Sequence, residues 1–173
     1  RTIMSSSTDT LQFRFPALGD SILSRMNTLR EEHRFCDITL LLGGPEGAAL
    51  RPFHFYGHRV VLAASSDFLR DQFLLHEGRA ELSVGVVSSV EVGERLFLSC
   101  YTGLLEVPLR ELVSYLTAAS ALQMSQVVER CAQAISQFLS PTLSSLELER
   151  QEKDAAKSST SIQGASSEGG GRL

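Results

Sequence analysis

Apolar and polar residues alternate in Leu11-Gln12-Phe13-Arg14-Phe15, and the run stops at Pro16. A period of two puts Leu11, Phe13 and Phe15 on one face of a short, half-buried strand. The segment stands alone near a terminus, so its pairing partner must come from elsewhere. Ile22, Leu23, Met26 and Leu29 then follow a helical period, with Asp20 or Ser21 placed to cap the first turn and His33-Arg34 near the end. Phe35 to Leu42 is a Leu-rich strand closed by Gly43-Gly44-Pro45. Pro52 to Tyr56 is a second strand, and together they predict a hairpin whose connection, Gly43 to Arg51, is long. His58 to Leu75 reads as a buried helix broken at Ser65-Ser66, with Asp67 as the N-cap of its second half and Phe68, Leu69 and Phe73 inside. Glu81 to Val86 alternates as another strand. Three helical patterns follow: Val92, Leu96, Phe97, Cys100 and Tyr101; Leu109, Leu112, Val113 and Leu116; Val127, Val128, Cys131, Ile135 and Phe138. A few short strands followed by paired helices indicate an α+β fold with the sheet at one end of a helical body.

These signals run from 11 to 140 and set a single domain there. Residues 1–10 read as a cloning scar, Arg1 to Ile3 ahead of Met4, with a disordered N-terminus. Beyond Pro141 the composition turns to Ser and Gly, so 141–173 reads as a flexible linker that includes one weak solvated helix, Ser144 to Lys157. The whole chain has 173 residues, enough for one well-cored domain and a tail.

Charge narrows the function classes. Sixteen Lys and Arg against 20 Asp and Glu give a net charge of −4, without the positive excess that drives nucleic-acid binding. The only lysines are Lys153 and Lys157; every other basic residue is Arg. Cys36, Cys100 and Cys131 are an odd number in apolar stretches, which fits reduced, buried thiols of the cytosol or nucleus. Apolar runs such as Val60 to Ala64 fall far short of the roughly 20 residues of a membrane span. The N-terminal residues also lack a signal-peptide core.

Enzyme chemistry finds little support. Gly19-Asp20-Ser21-Ile22 is similar to the nucleophile block of a serine esterase family, but the last histidine is His76 and no Asp-x-x-His exists to supply the base. Helix capping explains Asp20 and Ser21 without catalysis. The cysteines lack Cys-x-x-Cys spacing, and His54 and His58, four apart, would provide only two metal ligands. Gly43-Gly44-Pro45-Glu46-Gly47 lacks the Lys and Ser/Thr of a phosphate loop. Two charges remain: Asp37 directly after Cys36 in an apolar strand, and Arg59 opening an apolar helix. Charges flanked by buried residues are normally paired, either as a structural ion pair or as a pocket that receives a partner. Exposure of the two side chains in a groove separates these readings.

Phe35-Cys36-Asp37-Ile38-Thr39-Leu40, then His58 to Leu69, then Cys100-Tyr101-Thr102-Gly103 resemble, in order and spacing, the signature of the BTB/POZ domain over residues 11 to 140. Arg70 to Leu75, Tyr115 to Ser120 and Leu122-Gln123-Met124 are similar to the BTB domains that head zinc-finger transcription factors. The resemblance implies a helical body capped by a small sheet, an obligate homodimer and an N-terminal strand exchanged between subunits. It implies a dimer interface of Leu11, Phe13, Phe15, Ile22, Leu23, Met26 and Asn27, and a charged pocket of Asp37 and Arg59. It also implies a lateral groove for corepressor peptides, with Arg25, Thr28, Leu29 and Glu32 of one subunit facing Ala63, Ala64, Ser65 and Ser66 of the other. The insertion Gly44 to Pro52 departs from the common pattern.

The expectation that follows is a non-enzymatic, nuclear dimerisation module of a zinc-finger transcriptional regulator, most simply a repressor. Its partners would be a second copy or a related BTB domain and corepressor peptides, not nucleic acid or membrane. No cofactor is expected in this fragment, and zinc only in downstream fingers. The alternative is a substrate adaptor of a cullin-based ubiquitin ligase, a role that calls for packed helices where this chain has a Ser/Gly-rich tail.

Overall fold

The computed structural model describes residues 9–44, 51–138 and 148–158. The chain divides into two compact units, Arg1–Glu106 and Val107–Leu173.

The first unit contains α1 (Leu18–Glu31), β1 (Ile38–Leu42), β2 (Phe53–Gly57), α2 (Arg59–Ser65), α3 (Asp67–Leu75), β3 (Glu81–Ser83) and α4 (Val90–Thr102). The sheet order is β2-β1-β3, with β2 antiparallel and β3 parallel to β1. The register pairs Leu40 with Phe55 and with Leu82, so one pleated face carries Ile38, Leu40, Leu42, Phe55 and Leu82 into the core. Beneath it α4 presents Leu96, Phe97 and Tyr101, all at most 1% exposed, and the Phe97 ring lies 5.4 Å from that of Phe55. Gly93 permits the close approach of α4, because a Cβ there would sit 2.8 Å from Leu42 Cδ2. Leu62 of α2 and Leu69 of α3 fill the same core with no exposed surface.

Helix ends account for several boundary differences from the sequence reading. Asp20 and Ser21 lie inside the first turn of α1 and cap nothing; the N-cap position is Ala17. A Schellman pair closes α1, Arg34 N–H to Leu29 O at 2.7 Å and His33 N–H to Arg30 O at 3.0 Å, with His33 left-handed at φ 57°. The His33 ring stacks on Tyr56 at 4.1 Å, a contact that offsets the strain of a left-handed non-glycine. The N-cap of α3 is Ser66, whose hydroxyl accepts from Leu69 N–H at 3.1 Å, one residue earlier than Asp67. Gly103, at φ 68°, ends α4 by donating to Ser99 O at 2.9 Å.

The second unit holds a 3₁₀ turn (Leu109–Glu111), α5 (Leu112–Ala121) and α6 (Ser125–Phe138), with α5 packed on α6. Tyr115, Ala119 and Leu122 are fully buried, as is most of Cys131. Gln123, left-handed at φ 53°, closes α5 with a second Schellman pair through Met124 N–H to Ala119 O. Residues 148–158 are helical, overlapping the weak helix expected after Pro141.

The segment Leu11 to Phe15 is not a strand within this chain. It has no ladder, and Leu11, Phe13 and Phe15 are 81%, 73% and 69% exposed. An extended pentapeptide without a neighbouring strand has no backbone pairing to define it. Most of the insertion, 45–50, and the ends 1–8 and 159–173 lie outside the described residues, as do 139–147.

Candidate protein-interaction site

The three signature segments meet in one hydrogen-bond network. β1 begins just after Cys36-Asp37, β2 delivers the chain to His58-Arg59 at the start of α2, and α4 brings up Tyr101. The Tyr101 hydroxyl accepts from the His58 backbone N–H at 2.7 Å and lies 3.0 Å from His58 Nδ1. His58 Nε2 lies 3.0 Å from the Arg34 carbonyl, which can only accept, so Nε2 carries the proton and Nδ1 accepts from Tyr101. The Arg30 guanidinium stacks 4.7 Å from the Phe55 ring centroid and 5.5 Å from that of Tyr101. His58, Tyr101 and Arg30 are absent from the expected site residues. The signal was a phenol on the buried face of a helix, where a hydroxyl needs a partner.

Asp37 and Arg59 are brought together. Asp37 Oδ1 accepts from the Arg59 backbone N–H at 2.7 Å and so holds the first turn of α2. The Arg59 guanidinium donates to the Asp37 carbonyl at 2.6 Å and to the Arg79 carbonyl just before β3. Its charge lies 3.9 Å from Asp37 Oδ2. The side chains are 54% exposed for Asp37 and 29% for Arg59, and both line an open cleft of about 390 Å³ with Val60, Ala63, Phe73 and Leu74. Because Arg59 ties β1, α2 and the approach to β3, Arg59→Gln is expected to lower stability by about 1 to 2 kcal/mol, less than two fully buried charged hydrogen bonds because the site is partly solvated. Urea unfolding checks this, and an unchanged midpoint would remove the structural role.

The residues expected at a dimer interface sit on one terminal stretch and one helix. No residue of α1 is buried. Ile22 is half exposed, while Leu23, Met26 and Asn27 are partly covered, and Asn27 accepts from Arg30 Nε at 3.0 Å. Of the groove residues, Arg25, Thr28 and Glu32 are exposed on or just beyond α1 and Leu29 is half-buried. Ala63 and Ser65 are half-buried and Ala64 is exposed. Ser66 is 1% exposed, with its hydroxyl engaged as the α3 cap.

The remaining candidate chemistry does not assemble. Ser21 is an exposed residue of the first helical turn whose N–H bonds Ala17 O at 3.1 Å. His54 is exposed on β2, while His58 has both ring nitrogens committed. Among the described residues, no three His, Cys, Asp or Glu side chains are grouped to hold a metal, and no helix is long and apolar enough to cross a membrane. The three cysteines are free. Cys131 is buried, but Cys36 and Cys100 are only partly so, because each lies at an element boundary or helix flank. Burial nonetheless pushes the Cys36 and Cys131 thiols up and that of Cys100 up to about 11.

The BTB/POZ domain profile matches residues 26–139. Human zinc finger and BTB domain-containing protein 6 is 44% identical over 156 residues, 90% of this chain and 34% of that protein. Human zinc finger and BTB domain-containing protein 37 is 38% identical over 125 residues, 72% of this chain and 23% of that protein. The chain spans about a third or less of the length of these curated relatives. Among solved structures, the BTB domain of zebrafish PATZ1 aligns with a TM-score of 0.63 at 27% identity, covering 74% of this chain and 99% of that one. The BTB domain of human gigaxonin aligns at 0.61 with 19% identity, covering 73% and 98%, a likeness of fold alone. The sheet order, the helices behind it and a matched span that covers most of the chain lead to one conclusion: this chain belongs to the BTB/POZ domain family.

Proposed function

We propose that this chain is the homodimerising, partner-recruiting module of a nuclear zinc-finger transcriptional regulator that acts as a repressor. DNA contact and zinc then reside in fingers outside this chain. The observation that carries the dimer is an apolar series that the single protomer leaves largely open: Leu11, Phe13 and Phe15, then Leu18 and Ile22 at 49% exposure each. A helix of 14 residues with no buried side chain is a poor stabiliser of a lone domain, since most helix stability comes from a packed face. A two-fold contact would cover this series with the same series of a second copy. The zinc finger and BTB proteins similar to this chain support the regulatory context, and the acidic net charge of −4 supports assigning DNA contact elsewhere.

Sedimentation velocity of the purified chain at low micromolar concentration is expected to give a species of twice 18.9 kDa. A stable monomer there removes the dimer. In a tethered reporter assay the chain, fused to an unrelated DNA-binding domain, is expected to lower transcription; unchanged or raised output removes repression.

A further inference from the structure

We infer that a second cleft, between the end of α1, β2 and α4, receives the arginine side chain of a partner peptide; this deepens the partner-recruiting reading above and rests on it. The cleft measures about 290 Å³ and shares no residue with the one beside Asp37 and Arg59. That volume lies at the lower limit of ligand-sized pockets and suits one long side chain rather than a folded element. The charges around it do not balance. Glu31 and Glu94 stand against Arg30 alone, a formal charge of −1 with His33 and His54 neutral. The three also differ in access. The Arg30 side chain is 15% exposed: its Nε donates to Asn27 Oδ1 at 3.0 Å, and its guanidinium lies over the Phe55 and Tyr101 rings. The Glu31 side chain is 62% exposed, accepts from Asn27 Nδ2 at 3.3 Å and comes no closer than 3.9 Å to Arg30.

Glu94 decides the sign. It is half-buried on α4 and makes no hydrogen bond or ion pair among the described residues. A carboxylate partly withdrawn from water without a partner is a cost to the fold, and a docking cation offsets it. A docking carboxylate would instead approach two acids to reach one largely covered guanidinium. The walls then choose among cations. Phe53 and Tyr56 are half-buried along β2, the His33 ring stacks on Tyr56 at 4.1 Å, and His54 stands edge-on to Tyr56 at 6.2 Å. Leu98 adds an aliphatic side chain from α4. A planar guanidinium stacks on rings and offers two parallel donors to one carboxylate, which an ammonium cannot do. Rings, an aliphatic contact for the stem and an open carboxylate together complement arginine.

The test titrates the whole isotope-labelled chain with acetyl-Gly-Arg-Gly-amide and with the same tripeptide carrying lysine or citrulline, the uncharged isostere of arginine, and reads amide shifts by NMR. The arginine peptide is expected to shift Phe53 to Tyr56 and Glu94, and to bind at least about tenfold more tightly than the citrulline peptide, with lysine between them. Glu94→Gln is expected to abolish the arginine preference and leave the thermal midpoint and sedimentation unchanged, because its carboxylate bonds nothing within the fold. Glu129→Gln on α6, the same charge change elsewhere, should keep the preference. Equal affinity for the citrulline or the lysine peptide overturns the assignment, as do shifts confined to the Asp37 and Arg59 cleft. So does equal weakening by the two variants, which would mean general attraction to an acidic protein. A midpoint lowered by Glu94→Gln would show that the carboxylate already has a partner in the fold, and a dimer dissociated by it would make the face a self-association surface; either sinks the inference. The tethered reporter separates the cleft from the reading it rests on. A repressing chain without arginine preference sinks the cleft alone, and a chain that keeps the preference without repressing sinks the repressor alone.

Discussion

Tyr101→Phe is expected to cost about 2 to 3 kcal/mol, although it removes a single oxygen. The ring would stay against Phe55, so little cavity opens. The lost oxygen is the acceptor for His58 N–H and the donor to His58 Nδ1, at 2.7 and 3.0 Å, and His58 is only 7% exposed. Two buried polar groups would be left without partners, which is the expensive way to lose a hydrogen bond. Thermal unfolding should show the midpoint falling by roughly 5 to 10 °C; an unchanged midpoint would show that water replaces the hydroxyl without loss. The pH profile supplies an independent reading. Burial, offset in part by the His58 N–H, pushes the Tyr101 phenol up to about 12, above its ordinary 10. The folded chain holds that proton where the unfolded chain has released it, so the Tyr101 contribution is intact below pH 10 and declines as pH rises from 10 to 12. Cys100, raised by burial from 9 to about 11, adds a decline that begins near pH 9. Tyr101→Phe should keep the Cys100 limb and lose the Tyr101 limb.

Replacing Leu11, Phe13 and Phe15 together with serine is expected to weaken self-association by about a thousandfold or more. If a second copy covers these three side chains even by half, each contributes about 0.75 to 1.5 kcal/mol, and because both protomers carry the change the six together sum to about 4.5 to 9 kcal/mol, a factor of a thousand or more. The stability of the protomer's own core should barely change, because none of the three is buried within it. Sedimentation equilibrium across nanomolar to micromolar concentrations measures the first effect and urea unfolding of the monomer the second. An unaltered dimer constant would show that the segment does not dock.

The elements that were legible in sequence are those with a clean period and local partners. The hairpin of β1 and β2 could be read from two β-rich runs, and the break between α2 and α3 from Ser65-Ser66. The N-cap there was misplaced by one residue, because Ser66 and Asp67 are both good caps and only geometry shows whose oxygen reaches Leu69 N–H. The left-handed caps His33 and Gln123 were illegible, since neither is glycine. His33 is held by a ring stack on Tyr56, a contact that spans 23 residues and leaves no local trace. Asp37 and Arg59 stood out as charges in apolar surroundings. What the pair does with its hydrogen bonds, including the reach of Arg59 to Arg79, depends on a parallel strand pairing that no spacing in the chain announces.

That parallel pairing also orders events in time. β3 offers only three residues to β1, across a separation that runs from Leu41 to Ser83. Closing a loop of about 40 residues costs roughly 3 kcal/mol in chain entropy, about what three backbone hydrogen bonds return at roughly 1 kcal/mol each. The ladder therefore cannot recruit its own third strand. Packing of α2 and α3, which buries Leu62, Leu69 and Phe73 and holds the Arg79 carbonyl against Arg59, supplies the remainder. In kinetic terms β3 is expected to join the sheet last, after the helical hairpin has folded, and Leu82→Ala is therefore expected to speed unfolding more than it slows folding.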